Sequence, residues 1–188
     1  MKTIQMHRNK IIKLLNQYQP TIKEVEFKSK ILKFIEENID CFSRNLDIGH
    51  ITGSAWLINK NGDKALLTHH AKLNTWLQLG GHADGDQDIL RVALKEASEE
   101  SGISSIKAIS EEIFDIDVHQ IPANKKEKAH IHYDIRFILQ VSSDEEIKIN
   151  HESNELLWIN KNIKELPTKE ESILRMHKKW TNLKQIIS

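Results

Sequence analysis

The sequence has few of the features that mark a secreted, membrane-bound or nucleic-acid-binding chain. Its single cysteine, Cys41, cannot form an internal disulfide bond. Lys plus Arg and Asp plus Glu both number 27, so no overall charge attracts a nucleic-acid backbone or an anionic membrane. No apolar run approaches the length that spans a bilayer, and the N-terminus lacks the apolar core of a secretory signal. We therefore expect a cytoplasmic protein with neither nucleic-acid nor membrane partners.

The composition is that of an ordinary folded protein with a helical start. Hydrophobic residues make up 39% of the 188 residues, and charged residues make up 29%. Apolar side chains at helical spacing predict amphipathic helices over residues 4–18 and 22–39. In the second helix, the Thr21 hydroxyl is expected to cap the first turn while Glu24 reaches back to the Thr21 amide.

The chain is long enough for one domain with an extension. We predict a helical segment over residues 1–46 that packs on a domain over residues 47–188, which includes a C-terminal helix. Amphipathic helices at both ends leave room for a homodimer interface.

Shorter patterns follow the helical segment. Strand-like residues over 51–59 and 64–69, separated by Asn61-Gly62, predict a β-hairpin in which this pair supplies positive φ values. A further helix is expected over residues 87–101. It would end at Gly102, because glycine can adopt the left-handed conformation that ends a helix.

The second half of the chain contains more strands. Residues 130–137 alternate between apolar and polar side chains, so one face of the predicted strand carries imidazoles and charge and looks towards a site or solvent. Another strand is expected at 156–159, and a last helix begins at Thr168. Strands interleaved with helices predict an α+β fold, in which a mixed sheet lies between helices.

Three glutamates lie on one side of the 87–101 helix. Glu96, Glu99 and Glu100 are spaced i, i+3 and i+4, and like charges at i and i+4 destabilise a helix by about 0.2–0.5 kcal/mol. A divalent cation removes this conflict, because Mg²⁺ prefers carboxylate and carbonyl oxygens. The preceding Gly80-Gly81 pair lets the backbone approach such an ion closely.

These features together resemble the Nudix hydrolase signature. The matching pattern is Gly81-x5-Gln87-x7-Lys95-Glu96-Ala97-x-Glu99-Glu100-x-Gly102-Ile103. The flanking hairpin and later strands extend the resemblance from about residue 51 to residue 166. The resemblance implies a Nudix-type α/β/α sandwich with a mixed β-sheet and an N-terminal helical segment.

The resemblance also implies an activity and a set of site residues. The expected reaction is Mg²⁺- or Mn²⁺-dependent cleavage of the diphosphate linkage in a small nucleoside diphosphate derivative, such as a nucleotide sugar or ADP-ribose. Glu96, Glu99 and Glu100 match the metal-binding glutamates, and Glu99 and Glu100 are also expected to be catalytic. Gly80 matches the residue whose carbonyl often joins these ligands. Gly81 and Gly102 are expected to support the loop and the helix.

Two positions depart from the family pattern. Gln87 stands where the family has a glutamate and Lys95 where it has an arginine, so both can hydrogen-bond without forming a bidentate ion pair. A nearby acid, Asp84, Asp86 or Asp88, is a candidate to supply the lost charge. The weakened support motivates an alternative to the hydrolase, a nucleotide-binding sensor with little or no turnover.

The general base has to be sought outside the signature. Many Nudix hydrolases carry the base on a later loop or helix, and Glu152 and Glu155 are the nearest candidates here. A solvated loop acid is an equally good interpretation of either residue.

The histidine-rich segment permits a rival mechanism. His130-Ile131-His132-Tyr133-Asp134 resembles the metal-binding segment of metallo-β-lactamase-type zinc hydrolases, although Ile135 stands where a further histidine normally follows. Substrate contact is the favoured functional interpretation, and a sheet face without a ligand is weighed equally with it. The substrate-contact candidates are His82, His119, His130, His132 and Arg136.

Overall fold

The computed structural model describes residues 2–123 and 128–183, with side chains described from residue 8 onward. The elements are, in chain order, α1 (Lys2–Gln17), α2 (Glu24–Glu37), β1 (Gly49–Ile58), β2 (Lys64–His70), β3 (Thr75–Leu77), β4 (Leu79–His82), α3 (Ile89–Ser101), β5 (Ile106–Ala108), β6 (Asp115–Ile121), β7 (His130–Val141), β8 (Ser153–Asn160), a short 3-10 helix (Ile163–Glu165) and α4 (Glu171–Asn182). No helix within the described ranges combines the length and apolarity that crossing a membrane requires.

The eight strands found in the described ranges form one mixed sheet. Its central path runs β3-β2-β1-β7-β5, while β4 pairs with β1, β6 with β7 and β8 with β2. The pairing of β1 with β7 is parallel, and the other pairings are antiparallel. The predicted α+β class with a mixed sheet is therefore confirmed.

Helices cover both faces of the sheet. Alternate residues of β1, including Ile51, Ala55 and Leu57, belong to a core that α1, α2 and α3 complete. Trp56 and Ile58 face the opposite way and pack in a second core with side chains of α4. This arrangement confirms the predicted α/β/α sandwich, because a strand with two buried faces needs a helical layer on each side. The predicted boundary between residues 46 and 47 stays a prediction.

The start of α2 uses half of the predicted capping arrangement. The Glu24 carboxylate does reach back to accept a hydrogen bond from the Thr21 amide at 2.9 Å. The Thr21 hydroxyl, however, donates to the same carboxylate at 2.6 Å instead of capping the first turn. The hydroxyl donates to Glu24 because this carboxylate is fully buried, and a buried charge is stabilised by each hydrogen bond that it accepts.

Two other local predictions need small corrections. The hairpin forms between β1 and β2, but Gly62, with φ of 71°, has a positive φ and Asn61 does not. The helix predicted from residue 87 begins at Ile89, because the Asp88 carboxylate accepts a hydrogen bond from the Arg91 amide and so occupies the capping position. The last helix begins at Glu171 rather than at Thr168.

Glu24 connects α2 with α4. Its carboxylate accepts hydrogen bonds from Lys179 Nζ at 2.6 Å and from the Tyr18 hydroxyl at 2.5 Å. Lys179 also binds Asp115 at 2.8 Å, so the helices on opposite sides of the sheet share one charged cluster. Such a cluster is strongly destabilised when one partner is removed.

We expect the Glu24 interactions to make stability depend on acidic pH. Burial opposes ionisation of Glu24, but hydrogen bonds from Lys179, Thr21 and Tyr18 outweigh it and lower the Glu24 pKa from 4.5 to about 2. Since the folded pKa is depressed, this stabilisation is complete above about pH 4.5 and is lost as the pH falls towards 2. Urea denaturation across this range should show a shallower pH dependence for Glu24→Gln than for the wild type. Parallel curves would contradict the assignment.

Candidate active site

The loop before α3 is fixed by charged side chains at the start of the helix. Arg91 donates to the Asp86 carboxylate at 2.7 and 2.6 Å. The Arg91 amide donates to Asp88 at 3.3 Å. Gly102 ends the helix with φ of 71°, and its N–H donates to the Ser98 carbonyl at 2.9 Å, as the sequence predicted. The glutamates are thus carried by a helix that is anchored at both ends.

Glycine at position 81 lets the strand β4 lie directly against α3. A Cβ at Gly81 would overlap the Glu96 carboxylate, so a larger residue would displace this side chain. Glu100 reaches the same strand, where its Oε2 accepts a hydrogen bond from the Gly80 N–H at 2.9 Å. The close approach places two carboxylates of α3 beside the glycine pair.

The carboxylates of this helix interact unfavourably with one another. Glu100 is only 6% exposed. The pKa of Glu100 is raised to about 8, and burial is the largest cause. The hydrogen bond from the Gly80 amide lowers this pKa, whereas the negative charges of Glu96, Glu152 and Glu99 raise it further. Burial also raises the pKa of Glu96, against the opposing hydrogen bond from Lys95. A hard divalent cation would relieve both effects, so the donor set fits Mg²⁺ or Mn²⁺.

The two residues that depart from the family pattern behave differently. Lys95 Nζ lies 3.0 Å from Glu96 Oε1 and 3.3 Å from Glu99 Oε2, so it orients two of the acids. Gln87 Oε1 is buried and has no hydrogen-bond partner among the described residues. The interactions that fix the loop come instead from Asp86 and Asp88, described above, and from Asp84, whose carboxylate pairs with Arg44.

A cleft of about 650 Å³ opens beside the glutamates, a size in the range of small-molecule sites. Side chains of β1, β4, β6 and β7 form its sheet side, and the loop before β8 forms another side. Its polar and glycine lining includes Thr52, Ser54, Gln78, Gly80, Gly81, His82, Lys95, Glu96, Glu99, Glu100, His119, His132, Asp134, Asn150, His151 and Glu152. Sequence reasoning did not identify Thr52, Ser54 or Gln78 as site residues.

The structure separates the two candidate bases. Glu152 lines the cleft, and its negative charge contributes to raising the pKa of both Glu96 and Glu100. Glu155 is exposed on β8 opposite His69, and it does not line the cleft. The geometry therefore favours Glu152 over Glu155 as a base.

Some of the predicted substrate contacts line the cleft, and others do not. His82, His119 and His132 line the cleft, whereas His130 does not. Arg136 needs a correction, because it is 1% exposed and lies away from the cleft. Its guanidinium pairs with Asp134 at 2.7 Å and Asp115 at 3.0 Å, and it cannot reach a substrate without leaving these carboxylates.

The geometry does not support the rival zinc triad. Asp134 accepts hydrogen bonds from the Thr52 and Ser54 hydroxyls, at 2.8 Å each, and from Arg136. Its carboxylate is thus held by the sheet, while His130 and His132 converge on other histidines. Asp134 therefore does not combine with these two histidines as the H-x-H-x-D pattern suggested.

Comparisons with known proteins identify the fold. No protein-family model and no curated protein matches the chain. The chain matches the crystal structure of a Nudix-family hydrolase from Clostridium perfringens, which is 23% identical, with a TM-score of 0.50 over 72% of this chain and 98% of that one. A MutT protein from Methanosarcina mazei Go1, 18% identical, also gives a TM-score of 0.50, over 72% of this chain and 95% of that one. The chain has the Nudix fold.

Proposed function

We propose that this chain is a metal-dependent pyrophosphohydrolase that cleaves the diphosphate linkage of a small nucleoside diphosphate derivative. The observation that carries the proposal is the position of Glu96, Glu99 and Glu100 on the wall of the cleft, beside Gly80 and Gly81. The Nudix fold supports it, since one structure that shares the fold is described as a hydrolase of this family. A cytoplasmic location and a homodimer remain predictions.

The three glutamates and the Gly80 carbonyl would hold Mg²⁺ or Mn²⁺. Such an ion neutralises phosphate charge and lowers the pKa of a water molecule. The chain's own groups supply the remaining functions: Glu152 accepts a proton from the attacking water, and Lys95 orients Glu96 and Glu99. Polar side chains elsewhere in the cleft lining, including His119 on β6 and Asn150 in the loop before β8, offer hydrogen bonds to the substrate.

An assay that separates the products by chromatography and quantifies the nucleoside monophosphate tests the proposal. Nucleotide sugars, ADP-ribose, dinucleoside polyphosphates and dNTPs should be compared with Mg²⁺, with Mn²⁺ and with a chelator. Turnover of at least one diphosphate compound that requires the added metal would support the hydrolase. The Lys95 contacts with Glu96 and Glu99 favour the second candidate, a sensor, because the ammonium competes with a metal for these oxygens. Tight nucleotide binding without turnover of any compound would support that candidate.

The two loop acids provide a matched test of the base. We expect Glu152→Gln to lower kcat by about 10²–10⁴-fold, because an amide cannot accept the proton. Glu155→Gln should change kcat less than about twofold, since Glu155 lies outside the cleft. Steady-state kinetics on the best substrate from the panel would measure both. Equal losses in the two variants, or a loss confined to Glu155→Gln, would contradict the assignment.

A further inference from the structure

A cluster of four histidines lies on the sheet beside the cleft. His50 belongs to β1, His82 to β4, and His130 and His132 to β7. One ring nitrogen from each lies within 4.8 Å of the corresponding atoms of the other three. Of these four residues, His82 and His132 also line the cleft.

Strand pairing explains why these side chains converge. β1 lies between β4 and β7, with His50 opposite His132 and Thr52 opposite His82. Because side chains two residues apart on a strand point to the same face, all four imidazoles project from one face of the sheet. The convergence therefore follows from a register that spans three strands.

The spacing of two of the rings matches metal coordination. His130 Nε2 and His132 Nε2 are 3.2 Å apart, close enough for a hydrogen bond between the two rings. Two nitrogens bound to one tetrahedral Zn²⁺ at about 2.0–2.1 Å are separated by about 3.3–3.4 Å. The ring centroids of His50 and its three neighbours are 4.8 to 4.9 Å apart, which is close enough for small rotations to bring all four nitrogens onto one ion.

A backbone contact orients one of the rings as a ligand. His130 Nδ1 lies 2.8 Å from the Lys128 carbonyl oxygen, which can only accept a hydrogen bond. The Nδ1 atom therefore carries the proton, and the lone pair of the neutral ring lies on Nε2, which faces His132. Donation of the second ring N–H to a carbonyl is the usual support of a metal-binding histidine.

We propose that His50, His82, His130 and His132 form a four-histidine site for Zn²⁺, separate from the carboxylates of α3. Imidazole nitrogens suit Zn²⁺, whereas Mg²⁺ and Mn²⁺ prefer oxygen. Four protein ligands make a closed, structural site. By joining β1, β4 and β7, the ion would fix the strand that carries Gly80 and Gly81.

Zinc binding to the full chain tests the proposal. Protein stripped with a chelator and dialysed should be titrated with Zn²⁺ in the presence of a chromophoric competitor and excess Mg²⁺. We expect one equivalent of Zn²⁺ to bind, with an affinity that falls at least a hundredfold in both His50→Gln and His130→Gln. Co²⁺ in place of Zn²⁺ should give the intense visible absorption of a tetrahedral ion.

Two control variants locate the ion. His69→Gln removes an imidazole on β2 outside the cluster, and Glu100→Gln removes a carboxylate of α3. Both should bind Zn²⁺ as tightly as the wild type. Circular dichroism of each histidine variant establishes that it is folded, and Zn²⁺ should raise the melting temperature of the wild type but not of His50→Gln.

Three outcomes would overturn the zinc site: no Zn²⁺ uptake by the stripped wild type, unchanged affinity in both cluster variants, or loss of the ion in Glu100→Gln. The hydrolase proposal is independent of this result. Binding of one equivalent of Zn²⁺ without cleavage of any compound in the panel would support the four-histidine site and contradict the hydrolase proposal. Metal-dependent cleavage without Zn²⁺ binding would support the hydrolase and contradict the four-histidine site.

Discussion

Replacing Glu100 by glutamine is expected to lower metal-dependent turnover about a thousandfold or more. The substitution keeps the size of the side chain but removes a carboxylate that can ionise to bind a metal beside Gly80 and the other glutamates of α3. Steady-state kinetics over a range of Mg²⁺ and Mn²⁺ concentrations would measure the loss. Recovery of wild-type kcat at high metal would show that Glu100 contributes only affinity and would contradict a direct catalytic role.

Stability measurements separate this effect from misfolding. The folded-state pKa of Glu100 is raised from 4.5 to about 8, so the metal-free wild type should lose stability as the pH rises through this range. Glu100→Gln cannot ionise, and the metal-free variant should therefore be more stable than the wild type at pH 9. A variant that is both inactive and less stable at pH 9 would indicate a structural role instead.

Arg136→Met is expected to lower the free energy of unfolding by about 3–5 kcal/mol. The Arg136 guanidinium lies within 4 Å of three carboxylates, at 2.7, 3.0 and 3.6 Å, and methionine would leave them buried without this counter-charge. Asp115 and Asp117 would still pair with Arg175. Among the described residues, Asp134 would retain only the neutral donors of Thr52, Ser54 and Gln78. Urea denaturation monitored by tryptophan fluorescence would measure the change.

An exposed ion pair provides the control for this prediction. Lys60 pairs with Asp144 at 3.0 Å, and their side chains are 50% and 87% exposed. Lys60→Met should therefore cost no more than about 1 kcal/mol. Equal decreases in the free energy of unfolding for Arg136→Met and Lys60→Met would contradict the prediction that the buried cluster stabilises the protein more than an exposed ion pair does.

Local elements were predictable where the residues that specify them lie within one short segment of the sequence. The hairpin between β1 and β2 and the end of α3 at Gly102 follow from turn chemistry and spacing. The ends of helices were less accurate. Asp88 moved the start of α3 to Ile89, because a side chain that caps the backbone cannot itself lie inside the helix.

The polar face of β7 shows the limit of pattern reasoning. Alternation correctly placed His132, Asp134 and Arg136 on one face, and this face was expected to look towards a site or solvent. Part of it does line the cleft, but Arg136 lies deeper, under α4 and against the carboxylates of β6. The depth of a residue beneath a neighbouring layer depends on elements that are distant in the sequence.

Sequence alone determined the glutamate spacing on α3 and the glycine pair before it, because a helix period and a short loop fix neighbours that are close along the chain. Tertiary structure decided which distant groups join them. Glu152 lies in the cleft and Glu155 does not, and His50 meets His82, His130 and His132. The register of β1 against β4 and β7 sets these positions, and pairing between strands far apart in the sequence is fixed only when the whole sheet forms.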